Sequence, residues 1–159
     1  MDPSNDSLIL RVATSFKKLS AASAQLNAVS DDLGKLVAQL ESDLKMLNLG
    51  IEAWVPINGG SDSNFAYWSD DLGYAKVDGR WGIALRSVSG DERSEAYGSY
   101  DAKLFNEAPR DKRAAAIDKI PDLHERLYAL TEATTKRISG SKIKVQQIVT
   151  AVSAAVPRK

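Results

Sequence analysis

The chain has 159 residues, with 21 basic and 21 acidic side chains, one histidine and no cysteine. That length suits one domain, or one domain with an elongated extension, and is enough to bury a core. The lack of cysteine excludes disulfides, thiolate metal sites and thiol nucleophiles, and it fits a cytoplasmic setting. The acidic, polar start Met1–Asp6 does not read as a secretory signal, and no apolar run reaches the length of a membrane span, so no membrane partner is expected.

The neutral total conceals a separation of charge. Residues 51–108 hold 5 basic and 10 acidic side chains, whereas residues 109–159 hold 11 basic and 5 acidic ones. No acid follows Glu132, while Lys136, Arg137, Lys142, Lys144, Arg158 and Lys159 do.

The first third is patterned as one helix. Leu8, Val12, Leu19, Leu26, Val29, Leu33, Leu36, Leu40 and Leu47 recur at alternating steps of three and four, with Ser15, Ala22 and Asp43 in the gaps. A 3.5-residue apolar period keeps one helical seam facing a partner helix along its whole length. The spacing predicts a helix from near Ser7 to about Asn48, roughly 60 Å long at 1.5 Å per residue, stopped at Asn48-Leu49-Gly50. Ile9, Phe16, Val37 and Leu44 lie one position beyond the seam and widen it. The small residues of Ser20–Ala24 would let a partner helix approach closely.

From Ile51 the period changes to two. Ile51–Ile57 reads as a strand with an edge-tolerant Pro56, followed by a polar loop from Asn58 to Asn64 and a short apolar segment, Phe65–Trp68. Leu72–Val77 and Arg80–Val88 flank Asp78-Gly79, the pair preferred in two-residue type I′ hairpin turns. That turn pairs Lys76 with Trp81, Tyr74 with Ile83 and Leu72 with Leu85 on a bulky face. The other face is left to Gly73, Ala75, Val77, Gly82 and Ala84. A further strand is expected over Glu92–Tyr100.

Helices return after Asn106: a short one over Glu107–Lys119, then a long one restarting at Ile120-Pro121-Asp122. The long one carries a second heptad series, Leu123, Leu127, Leu130, Thr134, Ile138, Ser141, Val145, Ile148, Val152 and Val156, with a stutter near Ile138 and a possible break at Gly140. The expected architecture is α+β. Residues 1–50 form a long helix, 51–106 an antiparallel β head, 107–120 a short helix and 121–159 a second long helix. The long helices pair antiparallel as a coiled-coil or bundle stalk, and the whole is one structural unit.

Few residues carry candidate chemistry. Nine of the eleven aromatic residues fall between Trp54 and Phe105, and Trp54, Trp68, Tyr74, Lys76 and Trp81 are the candidate binding residues of the head. Core packing is the stronger expectation for this set, with a helix lying against the small face. Ser61–Asn64 is oxygen-rich but lacks the glycine and closing glutamate of a helix-loop-helix calcium site, so turn chemistry is expected. His124 follows Leu123 on a helix and reads as solvated. Asp70, Asp71, Glu92, Glu95 and Asp101 include no pair that spacing singles out for acid–base work. No catalytic residue, metal site or cofactor is expected.

Lys136, Arg137, Lys142 and Lys144 are candidates for contact with a polyanion or an acidic partner. No aromatic residue is interleaved for base stacking, which makes nucleic acid the lesser expectation. The leading expectation is a non-enzymatic interaction or assembly module, a homo-oligomer or partner-binding protein working through its helices. A ligand or peptide sensor built on the aromatic head is the alternative, and polyanion binding the third reading.

Overall fold

Pro3–Met46 form a single helix, α1, rich in leucine and alanine and free of internal proline. It ends where the sequence placed the stop: Leu47 and Asn48 donate their backbone N–H groups to the Leu44 and Lys45 carbonyls, and Asn48 and Gly50 adopt positive φ of 48° and 59°. The computed structural model describes residues 3–156 and divides the chain into two compact units, Met1–Asp43 and Leu44–Lys159. Arg158 and Lys159, and the side chain of Glu95, lie outside the described residues.

The second unit is built on four antiparallel strands in the order β1-β2-β3-β4: Ala53–Ser61, Ala66–Val77, Arg80–Asp91 and Ser94–Leu104. Asp78 and Gly79 take φ of 48° and 80°, the double positive φ of a type I′ turn. The register around it is the expected one, with Lys76 opposite Trp81, Tyr74 opposite Ile83 and Leu72 opposite Leu85. The strands run further than their apolar segments. Phe65–Trp68 and Leu72–Val77, expected as separate pieces, belong to the continuous β2 apart from Phe65, which closes the preceding turn with φ of 67°. The polar Ser69-Asp70-Asp71 between them stays in the strand because both carboxylates find partners across it.

A 3₁₀ turn at Phe105–Glu107, the short helix α2 (Arg110–Ala116) and a second 3₁₀ turn at Ile117–Lys119 replace the single short helix expected there. Then α3, Ile120–Ala155, runs unbroken through Gly140, with Pro121 in its first turn. A helical glycine weakens a helix by about 1 kcal/mol, too little to stop one of 36 residues.

Alternation along the strands sends Ala53, Val55, Leu72, Tyr74, Ile83 and Leu85 to one face, all of them buried. Lys112 places α2 on this face, since it bonds Asp70 and Ser87, which share the parity of Leu72 and Leu85. The first turns of α3 continue from there and pack against β1 and β2. Leu72, Ile83, Phe105 and Leu123 are the largest fully enclosed side chains, with Leu127 and Ala116 beside them in the core. The opposite face is thin, and its central Ala75 and Ala84 are fully buried as well.

The coarse α+β expectation therefore holds: a long N-terminal helix, a four-stranded meander, and a long C-terminal helix. Antiparallel pairing of the two long helices is not shown. The seam of α1 from Leu8 to Val29, with Leu36, is exposed, as is that of the outer half of α3, while Leu33 and Leu40 are half-buried.

Gly73 marks the tightest packing in the sheet. A Cβ there would sit 2.7 Å from the Ala53 carbonyl oxygen and inside the ring of Trp54. Gly73→Ala is expected to lower stability by about 1–3 kcal/mol through overpacking, a fall of several degrees in Tm for a chain of this size. Thermal unfolding followed by tryptophan emission checks it.

Candidate functional site

Two polar clusters flank the middle of the β2–β3 hairpin, one on each face. On the face that α2 covers, the Ser87 hydroxyl donates to Asp70 Oδ1 at 2.6 Å. Lys112 Nζ donates to the same oxygen at 2.8 Å and to Ser87 Oγ at 2.6 Å. Burial opposes ionisation of Asp70, but the bonds from Lys112 and Ser87 and the nearby ammonium charge outweigh it and hold its carboxyl below the ordinary value.

A serine beside a lysine is the raw material of nucleophilic catalysis. Here, however, Lys112 donates to both oxygens and the hydroxyl proton is directed at Asp70, a weakened base. The arrangement ties α2 to the sheet. The clefts on either side of Lys112 measure about 110 and 60 Å³, well under the roughly 300–1,000 Å³ of ligand pockets.

On the opposite face Arg86 Nε donates to Asp71 Oδ2 at 2.6 Å, and the Asp71 carboxylate is buried. The guanidinium lies 4.3 Å from the Trp54 ring centroid and 6.0 Å from that of Tyr100. Trp54 rests in turn on Gly73. Arginine suits the position because its planar head stacks on an aromatic ring while an edge nitrogen bonds a carboxylate.

The candidate aromatic residues do not converge. Tyr74 is buried and stacks on Trp81, ring centroids 5.4 Å apart, on the bulky face; Lys76 is exposed beside that pair. Trp54 belongs to the opposite face. Trp68 is half exposed near the far end of β2, against Gly60. Lys136, Arg137, Lys142 and Lys144 all lie exposed on α3, and so does His124.

The oxygen-rich loop is explained by turn chemistry. Asp62 Oδ1 accepts the backbone N–H groups of Asn64 and Ala66. In the β3–β4 turn, side-chain and backbone hydrogen bonds from Arg93 hold the Asp91 carboxyl down at about 2. Among the described residues no group of three or more histidines, cysteines and acids is placed to hold a metal ion.

Arg86, Lys112 and Ser87 escaped the sequence reading, though part of the signal was there. Continuing the Asp78-Gly79 register past Leu72 and Leu85 sets Asp71 opposite Arg86 and Asp70 opposite Ser87. Lys112 comes from a distant helix, and no local pattern points to it.

The largest uncovered features are helical. Leu8, Val12, Leu19, Leu26, Val29 and Leu36 of α1 are each more than half exposed. The buried or half-buried positions of that helix are 30, 33, 34, 37, 40, 41 and 44, so the seam residues Leu33 and Leu40 are themselves partly covered. On α3, Leu123 and Leu127 are buried, while Ile138, Ile143, Val145, Ile148, Val149 and Val152 are more than half exposed.

The folded-state lowering at Asp70 stabilises the protein above its unfolded value of about 3.9. That contribution is lost as pH falls through the lower folded value. Asp70→Asn is expected to be less stable at pH 7 and to show a flatter loss of stability below pH of about 4, measured by urea unfolding across pH. Arg86→Ala leaves the Asp71 carboxylate buried without its counter-ion and is expected to cost about 3 kcal/mol, with Arg86→Lys in between because stacking on Trp54 is weakened.

Comparison with protein-family models, curated proteins and solved structures finds no match for this chain, so the functional reading rests on its own residues.

Proposed function

We propose that the chain is a non-enzymatic assembly module that associates with other copies of itself through its exposed helical seams. The observation that carries this reading is the line of large apolar side chains left open along α1. Folded monomers rarely expose a continuous apolar patch above a few hundred Å². The open part of the seam runs from Leu8 to Leu36, about four heptads with Leu33 half-buried, and pairing two copies along it would enclose a continuous line of leucine and valine side chains.

Burial of these side chains is the driving term, because aliphatic surface removed from water gains roughly 25 cal/mol per Å². The regular 3–4 spacing supplies specificity, since only another helix of matching period can fill the gaps between successive leucines. The outer part of α3 is a different surface. Its apolar positions are flanked by Arg137, Lys142 and Lys144, and no acid follows Glu132. Two such segments would bring like charges together, which favours an acidic partner for α3 and leaves self-association to α1.

Sedimentation equilibrium on the full chain tests the proposal. The expected result is a defined oligomer whose population rises with concentration. Leu19→Asp with Leu26→Asp should shift it to monomer without changing the urea midpoint of the sheet by more than a small fraction. A wild-type chain that stays monomeric into the hundreds of micromolar overturns it.

A further inference from the structure

We infer that α1 pairs with α1 of a second copy in an antiparallel register centred on Ala24; this rests on the self-association proposed above. The seam can be written as a heptad with a at Val12, Leu19, Leu26, Leu33 and Leu40, and d at Leu8, Ser15, Ala22, Val29, Leu36 and Asp43.

A parallel pair would set each of these against itself. Ser15 would meet Ser15, Ala22 would meet Ala22, and two Asp43 carboxylates would share one layer, leaving gaps and like charges in the seam. In an antiparallel pair each a position meets a d position. Centred on Ala24, the register sets Leu8 against the partner's Leu40, Val12 against the partner's Leu36 and Ser15 against the partner's Leu33; Leu33 and Leu40 are half-buried in their own chain and contribute only their remaining exposed edge. It also sets Leu19 against the partner's Val29 and Ala22 against the partner's Leu26. Every small position then faces a leucine, the alternation that fills a helical interface without voids.

Charge fits the same register. The g positions flank the seam, and they are Arg11, Lys18, Gln25, Asp32 and Gln39. Antiparallel helices bring g beside g, so Lys18 stands against the partner's Asp32, and the two-fold axis repeats the pair. Gln25 meets Gln25 near the axis. Ser20, Ala21, Ser23 and Ala24 keep the centre thin enough for close approach.

Sliding by one heptad removes both Lys18–Asp32 pairs; in one direction Gln25 takes the place of Lys18 and in the other Arg11 does, so there overlap rather than charge decides. In one direction it also drives Asp43 against the partner's Val12; in the other it carries Leu40 beyond the start of the partner helix at Pro3. The centre at Ala24 is also within a residue of the midpoint of Pro3–Met46, so the overlap is the longest available.

The chain has no cysteine of its own, which makes disulfide trapping direct. Leu19→Cys and Val29→Cys are made in separate full-length chains carrying tags of different size, then co-refolded and oxidised. The register predicts a mixed cross-linked dimer from the combined sample and little product from either variant alone. Cross-linking of Leu19→Cys or of Val29→Cys with itself signals a parallel pair. It overturns the inference while leaving self-association intact. A dimer by sedimentation with no cross-link in any sample shows that α1 does not pair in this register, and it too overturns the inference. A monomer throughout removes the inference and the reading beneath it together.

Charge reversal gives an independent check. Lys18→Asp and Asp32→Lys should each weaken dimerisation by on the order of tenfold, and the double variant should recover most of that loss. A double variant as weak as the sum of the two singles overturns the register.

Discussion

Two adjacent residues in the left-handed region, Asp78 and Gly79, fix the parity of the two longest strands, and the placement of side chains in the sheet follows from that parity. Because side chains alternate with a period of two, a slip of one residue would invert both faces of β2 relative to β3. Leu72, Tyr74, Ile83 and Leu85 would then lose the cover of α2, and Trp54 would lose the bare Gly73 on which it lies. The turn alone is weak. It is enforced by the cost of turning a fully buried leucine and isoleucine out to water, several kcal/mol in total at the usual values for such side chains.

The same parity explains how polar residues come to lie in the middle of β2. Asp70 and Asp71 are adjacent and therefore point to opposite faces, so their charges are kept apart by the sheet itself. Each then acquires a cation suited to its face: a flexible lysine reaching from α2 on one side, and a flat guanidinium sandwiched on an aromatic ring on the other. The strand crosses this acidic step because both carboxylates are matched there.

Much of this was legible in the chain. Asp78-Gly79 gave the hairpin and its register because positive φ is demanded of both turn residues and few pairs supply it. The two long helices were legible because their period extends over many turns. What lay beyond reach was non-local. Nothing near Asp70 indicates that Lys112 will be beside it, so the sequence read Ser69-Asp70-Asp71 as an interruption where the fold keeps a strand. Gly140 looked like a break because propensity counts it against a helix, yet the flanking turns are long enough to carry it. The aromatic residues of the head seemed a candidate site as a group. Strand alternation and distance along β2 separate Trp54, Tyr74 with Trp81, and Trp68 into three settings. The heptad seam reads as the expectation of a companion helix for α1, without saying which chain supplies it.

The sheet is open, with β1 and β4 as its two free margins. An unpaired strand margin is a template on which a neighbouring chain can add its own strand, and such addition can repeat without limit into a cross-β fibre. Here both margins are spoiled. Pro56 offers no N–H, the ladder of β1 shifts between Pro56 and Asn58, and Gly59-Gly60 follows; β4 carries exposed Asp101 and Lys103. If the helices bring copies together as proposed above, strand addition between neighbouring sheets becomes the hazard to be met. Proline, a bulge and a pair of charges are the inexpensive means by which this sheet stays finite.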